Sequence, residues 1–411
     1  MTTTEPAAPT TPTAEARQQH HQWLTELTGI PTVAGREDRV VEWVKAWAAQ
    51  REDVTLTADA HGNLTLRRTE PFAPGEPVYV TAHLDHPGFA VDAIEDGSTA
   101  VLAFRGGVME DYFKGARVNI HPESGDPRAA TILERVEPAE GEEELFKRYR
   151  VRLDDGLSTD GLTTRDIATW HLPLSFIEDG LLSAPACDDL AAAAAALCAF
   201  DALLEQKRHG HAVGRDVRVF CTRAEEIGFV GAIGACREKT IPDSAPIIAL
   251  ENSRAFDDSP IGGGPIVRVG DRLTVFTPRL TAAVAARAEA VAGGPASPTA
   301  AQKQSELPKW RWQRKLMAGG ACEATVFCAA GYEATCVCLP LGNYHNMADL
   351  AAVQAGTNTQ PPTIASEQIA IADFDGLVDL LIACGQELRP GGGIEERLAK
   401  LWDDRSFVLG E

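Results

Sequence analysis

Apolar and polar positions along the chain follow two rhythms. In residues 16–51, Trp23, Leu24 and Leu27, then Val40, Val41, Trp43, Val44 and Trp47 recur every three or four positions. This spacing predicts two amphipathic helices on either side of the Gly29-Ile30-Pro31 break. From Val54 to Arg68 the period falls to two around His61-Gly62-Asn63, the pattern of a hairpin. Residues 78–82, 216–223, 245–252 and 335–340 are short, nearly continuous apolar runs, as found in strands buried on both faces of an α/β sheet. The seven residues Ala191–Leu197, almost all alanine, predict a helix with little room for water on its surface. Residues 278–292 read as an amphipathic helix, 293–309 as an exposed loop, and 363–389 as a closing helix before a polar tail to Glu411.

Residues 90 to about 178 change character. The runs 100–104, 116–120, 129–133 and 149–153 are separated by Gly, Asp and Pro turns, with no helical period between them. A small β-barrel or sandwich inserted into an α/β domain is the expected result. The domain organisation read from this is a disordered tail at 1–15, an inserted β-domain at 90–179, and an α/β domain made of 16–89 and 180–411.

Composition narrows the partners. The 411 residues are 44% hydrophobic, enough for a large core, and 38 Lys+Arg against 59 Asp+Glu give a net charge of −21. That charge opposes binding to nucleic acid or an anionic membrane. No long charge-free apolar run and no basic-then-apolar leader pattern stand in the sequence, so a cytoplasmic location is expected. The nine cysteines lie in apolar surroundings, which suits reduced thiols. Cys336 and Cys338 share a strand face but lack a second Cys/His pair at zinc-finger spacing.

The chemistry-bearing residues sit where the apolar runs end. His83 and Asp85 close the run 78–82 and share a strand face, an arrangement in which a carboxylate orients a metal-binding imidazole. Asp188 and Asp189 stand at the mouth of the alanine helix, where buried carboxylates need a cation or hydrogen-bond donors. Glu225-Glu226, Glu251 and His345 follow three further strands. Each alone has an ordinary reading, Asp as a helix cap or Glu as a surface charge. Together, two imidazoles with Asp and Glu oxygens match a hydrolytic zinc site that also admits Co or Mn. Two such ions bridged by one carboxylate would polarise a carbonyl and activate water, with an unligated Glu as base.

These residues resemble the co-catalytic di-zinc aminopeptidases, specifically the glutamyl and deblocking group that includes the tetrahedral aminopeptidases. The motifs that carry the resemblance are Ala82-His83-Leu84-Asp85, Ala186-Cys187-Asp188-Asp189, Ala224-Glu225-Glu226-Ile227-Gly228, Leu250-Glu251 and Tyr344-His345. The long gap between His83 and Asp188 is where an inserted β-domain falls in this group. The resemblance implies a zinc-exopeptidase-like α/β fold: a mixed, mostly parallel sheet flanked by helices, with an inserted small β-barrel. It implies a homo-oligomer acting on peptides, and two divalent ions per chain, Zn first, bridged by Asp188. His83 and Glu251 would complete one site, Glu226 and His345 the other. Glu225 would be the general base, and Asp85 would orient His83. Glu251 stands where the group usually has Asp, Leu190 where an Arg often follows the aspartate pair, and Glu323 in a stretch that usually reads Gly-Thr-Asp-Ala.

The expected activity is removal of N-terminal amino acids from peptides. An acyl-amino-acid deacylase, a carboxypeptidase or a catalytically silent peptide-binding protein would use the same ligands. A preference for acidic residues would need a basic group in the pocket, and Arg254 is the candidate nearest Glu251.

Overall fold

A computed structural model describes residues 11–141, 143–296, 311–389 and 393–410. Helix α1 (Ala14–Thr28) starts where the Thr13 hydroxyl accepts the Ala16 N–H, and it buries Leu24 and Leu27. Helix α1 thus begins just inside the stretch 1–15 expected to be a tail, and residues 1–10 lie outside those described. Helix α2 (Asp38–Ala49) follows, then the hairpin β1 (Val54–Ala58) and β2 (Leu64–Arg68). Strand β3 (Val78–His83) is buried at every residue, as its unbroken apolar run requires.

The chain next closes a six-stranded antiparallel barrel, with strand order β4, β5, β8, β7, β6, β9. Its strands are β4 (Gly88–Ile94), β5 (Thr99–Arg105), β6 (Arg117–His121), β7 (Arg128–Val136), β8 (Arg148–Leu153) and β9 (Ile167–Trp170). The alternating residues fill its interior, where Phe113 stacks on Tyr149 at 4.2 Å between ring centroids and Phe89, Phe104 and Trp170 pack around them. Strands β10 (Phe176–Glu178) and β11 (Leu181–Ala184) return the chain to α3 (Leu190–Arg208). Its alanines are buried against the main sheet, a position larger side chains would not fit.

Strand β12 (Val217–Thr222), α4 (Val230–Glu238), β13 (Ile247–Arg254), β14 (Ile266–Asp271), α5 (Pro278–Ala292), β15 (Gln313–Met317), α6 (Glu323–Ala329) and β16 (Ala334–Leu341) complete an eight-stranded sheet. Its order is β1, β2, β12, β3, β13, β16, β14, β15, and the four central strands β12, β3, β13 and β16 are all parallel. Their carboxyl ends therefore open on one side, the position at which α/β sheets bind ligands. After β12 the chain turns tightly into α4. A Cβ at Gly231 would lie 2.4 Å from the Arg223 carbonyl oxygen and 2.6 Å from Asn63 Oδ1, so only glycine fits there.

The end of the chain departs from the sequence reading. After α7 (Leu350–Ala355), residues 367–370 form strand β17 (Glu367–Ala370), and helix α8 (Ile371–Gln386) begins only after it. Strand β17 pairs with β11, a tertiary contact that overrides the local pattern. Within the polar tail, Ile394–Arg405 is a helix, α9, with no buried residue. Most of the expected loop at 293–309 lies outside the described residues. All nine cysteines are free, with Cys336 and Cys338 packed in the core, and among the described residues no helix is long and apolar enough to cross a membrane.

Candidate metal centre

The six residues singled out at element ends converge. His83 is the last residue of β3, Glu225 and Glu226 follow β12, Glu251 lies in β13, His345 follows β16, and Asp188 precedes α3. Asp188 sits between the two imidazoles, its Oδ1 3.5 Å from His83 Nε2 and its Oδ2 3.4 Å from His345 Nε2. Glu226 Oε1 lies 3.3 Å from His345 Nε2, while Glu251 Oε1 and Glu225 Oε2 each lie 3.9 Å from His83 Nε2. The Asp188–Asp189 peptide is cis.

Each imidazole presents Nε2 inward because its other nitrogen is engaged outward. His83 Nδ1 bonds the Asp85 carbonyl oxygen at 3.1 Å, and His345 Nδ1 bonds the Gly107 carbonyl oxygen at 2.7 Å. A carbonyl only accepts, so both Nδ1 atoms carry the proton and both Nε2 lone pairs are left for a cation. Asp85 thus orients His83 mainly through its backbone, with its carboxylate 3.6 Å away. That carboxylate instead accepts the N–H groups of Glu225 at 2.9 Å and Glu226 at 3.0 Å and fixes the turn that presents them. Glu37 supports the same turn through Ala224 N–H at 2.9 Å.

The barrel also reaches this centre. Gly107 belongs to the segment joining β5 to β6, and Tyr112 in the same segment donates its hydroxyl to Ala348 O at 2.6 Å. His86 ties the Asp188 carbonyl to Asn346 Oδ1 through its two ring nitrogens. Asn252 Nδ2 donates to the Cys187 carbonyl at 2.6 Å. Glu367 accepts backbone N–H groups from Cys187, Asp188 and His345. None of these supports was read from the sequence, because each meets backbone groups that only the fold brings close.

The electrostatics favour a cation. Burial and the neighbouring charges of Glu251 and Glu226 hold the Glu225 carboxyl well above its ordinary range, and burial with the Asp188 charge does the same to Glu251. Burial would raise Asp188 too, but the facing imidazoles of His345 and His83 outweigh it and hold Asp188 far below the usual carboxylate range. Burial opposes charge on His83 and His345, yet the facing carboxylates hold both well above the ordinary histidine value. Asp188 Oδ1 and Glu226 Oε1 are buried without any hydrogen-bond partner. Donors bound at about 2.0–2.1 Å around a tetrahedral ion stand about 3.3 Å apart, close to the separations of Asp188 and Glu226 from the imidazoles. Among the described residues, His83 with Asp188 and Glu226, His83 with Glu225 and Glu251, and Asp188 with Asp189 and Glu251 stand close enough to hold a cation, with no thiolate in these groups.

A cavity of 390 Å³ opens from this cluster and runs past Ser253, Arg268, Phe256, Met317 and Gly319. Arg254 lies on its rim, partly exposed, and donates to Gln354 Oε1 at 2.7 Å. The deeper cation is Arg268 on β14, which is 2% exposed and donates to Ser253 Oγ at 3.1 Å. Its Nε has no partner, and no carboxylate among the described residues pairs with it. Glu323 is buried behind the cluster, where burial raises its carboxyl to about 7.

A family model described as M42 glutamyl aminopeptidase matches residues 62–292. An aminopeptidase from the archaeon Desulfurococcus kamchatkensis is similar over 92% of this chain and 97% of its own, at 21% identity and a TM-score of 0.68. The TET1 peptidase of Pyrococcus horikoshii, which can assemble into a tetrahedron or a large octahedral shell, is similar over 90% of this chain and 100% of its own, at 19% identity and a TM-score of 0.67. A TET aminopeptidase from a marine-sediment Thaumarchaeota archaeon gives 19% identity and a TM-score of 0.66 over 92% of this chain and 99% of its own.

Proposed function

The chain belongs to the M42 glutamyl aminopeptidase family, and on that premise we propose that it is a metal-dependent aminopeptidase with Glu225 as general base. The observation that carries this reading is Asp188, whose two oxygens face two inward-pointing imidazoles within a buried ring of carboxylates. His83, Asp188 and Glu251 would hold one ion and Asp188, Glu226 and His345 the other, with Zn first and Co or Mn also suited. When bound, such a pair polarises the scissile carbonyl and lowers the pKa of water toward neutrality.

The chain's own residues supply the rest. Glu225 takes a proton from the attacking water as its oxygen bonds to the carbonyl carbon. It then passes that proton to the amine nitrogen as the C–N bond breaks. Asp85 keeps Glu225 in place by accepting its backbone N–H. The cavity beside the cluster receives the N-terminal side chain. The Arg268 guanidinium, bonded to Ser253 Oγ two residues along β13 from Glu251, lines the same cavity, where it would meet a glutamyl carboxylate. A buried guanidinium on the cavity wall, in no ion pair with a carboxylate among the described residues, supports a preference for acidic N-terminal residues.

Like the neighbours that form tetrahedral and octahedral shells, the protein is read as a homo-oligomer, and its nine free thiols suit the cytoplasm. Metal analysis with a panel of aminoacyl reporters tests the reading. Close to two divalent ions per chain, activity abolished by chelation and cleavage of free-amine substrates are expected. Arg268→Met should lower kcat/KM for a glutamyl reporter by about 10–100-fold and leave a leucyl reporter nearly unchanged. Full activity without metal, or cleavage confined to N-blocked or carboxyl-terminal substrates, would refute it.

A further inference from the structure

We propose that Glu367 is a positioning residue for the ion site formed by Asp188, Glu226 and His345, an inference that rests on the two-ion reading above. Glu367 opens β17 and is fully buried, and its carboxylate accepts hydrogen bonds from backbone N–H groups. Its Oε2 accepts the N–H groups of Cys187 at 2.7 Å and Asp188 at 3.0 Å, and its Oε1 accepts the N–H of His345 at 2.8 Å. One carboxylate therefore spans two chain segments, one bearing the bridging aspartate and the other the imidazole that faces it.

The segment around His345 is held in an unusual conformation, by Asn346 and Asn343 side-chain bonds as well as by Glu367. Asn343, His345 and Asn346 all have positive φ, at 51°, 53° and 63°, a region that costs side-chain-bearing residues energy unless their surroundings hold them there. Asp188 has other ties, since His86 bonds its carbonyl and Asn252 bonds the Cys187 carbonyl beside it. The His345 N–H is held by Glu367. His83 and Glu251 are presented by β3 and β13, whose register does not involve β17. Loss of the Glu367 carboxylate should therefore loosen the separation between Asp188 and His345 and leave the pair His83 and Glu251 in place.

The effect expected is selective weakening of one ion, which a merely structural residue would not give. Cobalt titration of chelator-treated protein, followed by calorimetry and by the visible cobalt spectrum, reads the two sites separately. In Glu367→Gln an amide N–H₂ replaces an acceptor against a backbone donor. One cobalt affinity should fall by about 10–100-fold while the other stays within about threefold. The kcat should fall with KM nearly constant. Glu367→Asp, which keeps the charge but is one methylene shorter and cannot span both segments, should show the same asymmetry and guards against a misfolded glutamine variant. Equal weakening of both sites, or wild-type cobalt binding in either variant, would overturn the role of Glu367. Failure of the unsubstituted protein to take up cobalt would bring down the two-ion reading and Glu367 with it, before any substitution is compared.

Discussion

Glu225 and Glu226 are neighbours on one short turn, yet they face different imidazoles, Glu225 toward His83 and Glu226 toward His345. The carboxylate of Asp85 sets this divergence by holding both backbone N–H groups. Glu225→Gln keeps the side-chain volume and removes the basic oxygen. It is expected to retain both ions by elemental analysis and to lose turnover by about 100- to 10,000-fold. Near-normal rates in that variant would shift the base to another group. Residues of this kind were legible in the sequence because a His or carboxylate at the end of an apolar run stands out. Glu367, Asn252 and Arg268 were not. The first two bond backbone atoms of segments far away in sequence, and Arg268 lies inside a strand where nothing local marks its burial. Arg254 drew notice by its closeness to Glu251 in sequence, while the fold puts it on the rim.

At the scale of elements, four parallel strands carry the site, and the turns leaving them set its precision. The turn between β12 and α4 is tight, because Gly231 packs its backbone against Arg223 and Asn63. Gly231→Ala should cost about 1–3 kcal/mol, read as a lower urea midpoint, and should also reduce kcat because Glu225 moves with the turn. Loss of stability without loss of activity would mean the turn does not set Glu225. The buried strands, the alanine helix and α5 were readable because periodicity and propensity agree there. The barrel was readable as a change of rhythm, although its closure is a matter of pairing between β4 and β9 that no single segment declares. Strand β17 and helix α9 were missed for opposite reasons. The first is made by pairing with β11. The second has helical spacing in Leu398, Leu401 and Trp402, but its charges read as a solvated tail.

The whole molecule carries a pH signature separate from its chemistry. His20, in α1, and His121, in the barrel, are both held down to about 4, in each case by burial first and then by a nearby arginine, Arg17 or Arg39. In the unfolded chain each titrates near the ordinary 6.5, so between pH 6.5 and 4 the unfolded state binds more protons and stability falls as pH falls. The urea midpoint should drop across that window, and the double variant His20→Gln, His121→Gln should flatten the slope. An unchanged slope would assign the dependence elsewhere. The two histidines also mark two bodies, and the carbonyl of Gly107 joins them by fixing which nitrogen of His345 bears hydrogen. A shortened protein with the barrel excised would keep the residues of the sheet and all five proposed ligands, yet the His345 ring would lose the acceptor that fixes its tautomer. The insert is thus no removable ornament: a lineage that let it brace a ligand can discard it only after another acceptor has taken over.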